Sequence, residues 1–141
     1  MKTFVRLATT AVIVVLASLA TADSIKNQKI IVVSVMTDSL SNEVKEKLTE
    51  MLRFSAEKCS IARPARLYIQ GISEMAKGTL DEKIALVRAQ RVQRYFIDND
   101  DLSHLRTYIA VGSASADFLT RLDLSRTVSA TRGAVIVQGI C

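Results

Sequence analysis

The chain has 141 residues, 49% of them hydrophobic and 23% charged, with a formal net charge of +5 and no Trp. That length allows one domain with a core of its own and is too short for two ordinary ones. The mild basicity suits an anionic polymer or surface, but no basic run is interleaved with aromatics, so nucleic acid is not an expected partner.

In chain order, Met1 to Ala22 begins with Lys2 and Arg6, continues with the apolar run Leu7 to Leu19, and ends in Ala20-Thr21-Ala22. A basic start, an apolar middle and a small-x-small end form the pattern of a secretory signal peptide. The run is short for a membrane span, so cleavage before Asp23 is expected and a retained anchor helix is the alternative. No Cys follows the run, which argues against a lipoprotein. Loss of Lys2 and Arg6 leaves the mature chain only mildly basic.

Residues 23–28 are polar and read as a flexible lead-in to a domain spanning 29–141. Lys29 to Met36 is β-branched and nearly uninterrupted, which predicts a strand buried on both faces or at the sheet centre. Ser41 is placed to cap a helix from Asn42 to about Glu57, with Glu43 in its first turn and Val44, Leu48, Met51, Leu52 and Ser55 at helical spacing. Pro64, the only proline, marks a connection. Arg66 to Ile72 alternates as a strand does. Ser73 to Gly78 reads as a loop.

Thr79 and Glu82 then form a capping box for a helix to about Ile97, with Ala85, Ala89, Val92 and Phe96 as its apolar stripe. Residues 98–103 read as the turn that stops it. Thr107 to Gly112 is a third strand, Ala116 to Leu122 a short helix, Thr127 to Gly133 a loop and Ala134 to Ile140 a last strand. The predicted class is α+β: a mixed four-stranded sheet in the order β-α-β-α-β-(α)-β, with helices packed on one face.

Cys59 and Cys141 are the only cysteines, an even count in an exported chain, and a structural disulfide between them is the favoured reading. Two Cys and the single His104 do not make a zinc site, so no metal or other cofactor is expected. Ser113, Ser115 and His104 invite comparison with hydrolases, but the chain lacks a Gly-x-Ser-x-Gly turn, and it is read as non-enzymatic.

Several of these segments resemble the OmpA-like domain, the periplasmic peptidoglycan-binding module of envelope proteins. Val33-Ser34-Val35 followed by Leu40 is similar to its first strand, where aromatics usually replace the valines. Ile69-Gln70-Gly71, then Ile84 to Val92 with Tyr95-Phe96, is similar to its second strand and helix, with the Arg-Ala-x-x-Val pattern at Arg88 to Val92. Arg132 with Val135-Ile136-Val137 resembles its final strand. The resemblance covers about Ile30 to Ile140.

The resemblance implies a ligand, the diaminopimelate side chain of the peptidoglycan stem peptide, gripped by an Asp and an Arg. Arg88 stands where the family's Arg stands. Glu74 stands in place of the Asp, and Asp81 in place of a helix-leading Asn. Chemically the set is suitable: a zwitterion needs a carboxylate for its ammonium and a guanidinium for its carboxylate. The expectation is a periplasmic protein, free or associated with the outer membrane, with no transmembrane segment after cleavage. It would bind peptidoglycan through Glu74, Asp81 and Arg88. The alternative keeps the fold without the ligand, as a scaffold subunit of an envelope or secretion complex.

Overall fold

The structure is a computed structural model that describes residues 27–36, 39–73, 79–100, 105–113 and 124–141. Its elements are β1 (Gln28–Ser34), α1 (Asn42–Lys58), β2 (Arg66–Ser73), α2 (Thr79–Asn99), β3 (Arg106–Ser113), α3 (Ser125–Ala130) and β4 (Ala134–Ile140). The expected signal segment, Glu74 and the helix expected over 116–122 lie outside the described residues. So does the Thr79 side chain, and with it the capping box.

The four strands form one mixed sheet in the order β1-β4-β2-β3. Strand β4 runs antiparallel to both neighbours, and β2 and β3 are parallel. The fold is therefore α+β with a mixed four-stranded sheet, as the pattern predicts. Two strand–helix–strand units build it: α1 leads from β1 to β2, and α2 from β2 to β3.

The long helices form for the reasons the sequence gives. The Ser41 side chain accepts from the Val44 amide at 3.2 Å, satisfying one of the orphan donors at the start of α1. Val44, Leu48 and Met51 are buried on its inner face, as are Ala85, Ala89, Val92 and Phe96 on α2. These residues close over Val33, Leu67, Ile69, Val135 and Val137, which share one face of the sheet. Gly71 lets α2 lie directly on β2: a Cβ there would fall 2.0 Å from the Ala85 carbonyl oxygen.

Three expectations need correction. Strand β1 is not central: it is an edge strand paired only with β4 among the described residues, and most of it is half-buried. The centre is β4, all seven residues of which are buried. An apolar run records how well the two faces are covered, not how many strands lie beside it. Second, the loop expected at Thr127 to Gly133 overlaps helix α3, which runs from Ser125 to Ala130. Val128 packs with Ile72, Ala134 and Ile136, residues of the sheet face away from the long helices, together with Leu124. Six residues are too few to show a helical period. Third, α2 runs past Ile97 to Asn99, whose side-chain amide donates to the Tyr95 carbonyl at 2.8 Å.

The expected disulfide joins Cys59 to Cys141, with Cα atoms 5.2 Å apart. It ties the end of α1 to the end of β4. No helix among the described residues is long and apolar enough to cross a membrane. The disulfide fits an oxidising compartment.

Candidate functional site

The strand directions collect the predicted site at one end of the sheet. Strands β1, β2 and β3 all finish there, and β4 begins there. The first turn of α2 follows β2 at this same end. Crevices beyond the carboxyl ends of strands are where sheets with crossover helices commonly place ligands.

Asp81 lies half-buried in the first turn of α2, where the helix dipole favours a negative charge. Its carboxylate accepts a hydrogen bond from the hydroxyl of Ser73, the last residue of β2. The bond joins the start of the helix to the end of the strand. Ser73 is the residue just before Glu74 in the sequence.

Arg88 is seven residues beyond Asp81, about two turns and ~10 Å along the same side of α2. It is half-buried, and its Nε is buried without a hydrogen-bond partner. Its guanidinium rests against Gly133: a Cβ at Gly133 would fall 3.2 Å from Nε and 3.3 Å from Cζ. Gly133 has φ of 61°, a left-handed conformation suited to glycine. Its carbonyl accepts from the Val35 amide at 2.9 Å. Arg88 therefore sits where the end of β1, the turn into β4 and α2 meet. Among the described residues it forms no salt bridge.

The structure thus places Asp81 and Arg88 on one helix at one end of the sheet, and Glu74 lies outside the described residues. The sequence matches no established family model and no curated protein sequence. Two contributors to the site's geometry were not picked out from the sequence, Ser73 and Gly133. Each has a weak local signal: Ser73 is a polar residue closing an apolar strand, and Gly133 follows an Arg directly before an apolar run.

Among the described residues no group of His, Cys, Asp and Glu is arranged to hold a metal ion. Shallow grooves run along the outer surfaces of the helices. One of them runs along α2 between Val87, Gln90, Arg91, Arg94 and Ile97. Arg132, which the resemblance puts at the head of the last strand, is exposed, and its carbonyl accepts from the Ser34 hydroxyl.

Proposed function

We propose that the protein is an exported, non-enzymatic component of a bacterial envelope that binds peptidoglycan non-covalently at Arg88. The periplasm is its proposed location. The observation that carries this reading is the Arg88 guanidinium, half-buried at the carboxyl ends of the strands, two turns from a fixed carboxylate and in no salt bridge among the described residues. A guanidinium so held can take the carboxylate of a diaminopimelate side chain through a two-pronged hydrogen bond. The carboxylates available for the ammonium end are Asp81 and Glu74. The strand order and the disulfide support the same reading.

A second reading, a ligand-less scaffold in an envelope complex, is favoured by two other observations. The Asp81 carboxylate is already engaged by Ser73. Val87 and Ile97 stand exposed on the outer side of α2, an apolar pair that a partner protein can cover.

Co-sedimentation with purified sacculi separates the two. Wild type is expected to pellet at low and at physiological salt, and Arg88→Ala to lose at least about tenfold in affinity, the equivalent of one charge-assisted pair. Wild type remaining in the supernatant at low salt removes the wall-binding reading. Equal pelleting of both, abolished by salt, reduces it to general charge attraction.

A further inference from the structure

Strands β2 and β3 open on the same pattern, Arg-x-Tyr-Ile: Arg66-Leu67-Tyr68-Ile69 and Arg106-Thr107-Tyr108-Ile109. The parallel pairing sets the two copies in register, Arg66 beside Arg106 and Tyr68 beside Tyr108. Side chains alternate along a strand. Leu67, Ile69 and Ile109 join the core under the long helices. The two Arg and two Tyr side chains therefore share the opposite face.

On that face the tyrosine rings stack, with centroids 5.1 Å apart and planes 17° from parallel. Tyr108 is 46% exposed, so one side of the stack is open. Arg66 and Arg106 are both exposed. Like charges side by side across two strands repel, and among the described residues neither has a carboxylate partner.

Behind the tyrosines is a second polar row. Gln138 of β4 is in register with Tyr68, and Gln70 is the next residue of β2 on the same face. Both are buried, at 0% and 1% exposure. The oxygen and nitrogen of both amides have no hydrogen-bond partner. The Gln70 amide lies over Gly112 of β3, where a Cβ would fall 1.8 Å from its nitrogen. At that burial neither amide meets a ligand on the surface, so the groups a ligand can reach are the two arginines and Tyr108.

We propose that this face is a second binding site, at the end of the sheet away from Arg88, and that its ligand is a phosphorylated sugar. The phosphoryl group lies between Arg66 and Arg106, whose planar forks match its oxygens and whose mutual repulsion it relieves. The sugar ring lies on the open side of Tyr108, with its C–H face against the aromatic ring. The paired charges select an anion, and the platform selects a ring.

The test is an NMR titration of the full mature protein with glucosamine 6-phosphate, with glucosamine and inorganic phosphate as separate arms. Glucosamine 6-phosphate is expected to move the Arg66 and Arg106 side-chain Nε–H signals and the Tyr108 ring signals together. Inorganic phosphate is expected to move only the arginine signals and to bind several-fold more weakly, and glucosamine to move nothing. Arg106→Gln is expected to lower affinity for the sugar phosphate at least about tenfold. Tyr108→Ala should bring it down to that of inorganic phosphate. Both side chains are exposed, and an unchanged amide spectrum elsewhere shows that the variants are folded. Equal affinity for glucosamine 6-phosphate and inorganic phosphate overturns the proposal, as does full retention of binding in Arg106→Gln or the absence of any shift. Arg88→Ala is expected to leave this titration unchanged, so the two sites succeed or fail independently.

Discussion

Tyr68 shows how one side chain carries both the packing and the electrostatics of its face. Burial raises its phenol above the ordinary value of 10.0, the Arg66 guanidinium pulls it back, and Tyr108 adds to the rise. A phenol whose folded pKa is raised contributes stability that is complete below the unfolded value and is lost as pH climbs through the folded one. Denaturant midpoints measured from pH 8 to pH 11 should therefore fall more steeply above about pH 10 in wild type than in Tyr68→Phe. Parallel falls in the two proteins would remove Tyr68 as the source. The candidate site at this scale was legible only in part. Arg88 and Asp81 declare themselves by spacing on one helix. Ser73 and Gly133 touch them from eight and forty-five positions away in sequence, and no local pattern encodes that proximity. The matched Arg-x-Tyr-Ile segments are plain in the sequence, but their significance depends on the strand order, which puts β2 and β3 side by side.

Between elements, the closest fit is α2 on β2. The alanine stripe of α2 was readable from its period, and so was the strand beneath it. What the period could not show was the depth of the contact, which is set by the lack of a side chain at Gly71. Gly71→Ala would drive a methyl to 2.0 Å from the Ala85 carbonyl oxygen, a backbone atom that no rotamer change can move. Overpacking of this kind costs about 1–3 kcal/mol and more where the backbone must shift, so a loss of about 3 kcal/mol or above is expected in urea unfolding. The companion variant Ala85→Gly should not rescue it, because the obstruction is the carbonyl and not the alanine methyl. Rescue would mean that α2 approaches β2 differently. The same limit explains the misplacement of β1 and the missed α3. Strand neighbours and a one-and-a-half-turn helix held by Val128 are products of tertiary packing, and neither leaves a period to read.

Across the whole molecule, the two ends of the sheet are held by different means. At the end with Arg88 the chain is joined by hydrogen bonds: Ser73 to Asp81, and Val35 to Gly133. At the other end a covalent bond joins residues 82 apart in sequence, the one after α1 to the one after β4. This pairing was legible from an even cysteine count and an N-terminus that reads as an export signal, because an oxidising compartment is where two cysteines are expected to pair. Its main effect is expected in the unfolded chain, whose freedom a loop of that length restricts by about 4 kcal/mol in the chain-entropy account. The double variant Cys59→Ser/Cys141→Ser should therefore unfold with a melting temperature lower by roughly 15 °C or more. It should keep its sacculus binding at low temperature, because Arg88 and its neighbours are positioned at the opposite end by contacts the bond does not supply. A double variant that melts with wild type would show the bond to be energetically idle. One that is folded yet no longer pellets would show that the two ends are coupled through β4, the strand that begins beside Arg88 and ends at the disulfide.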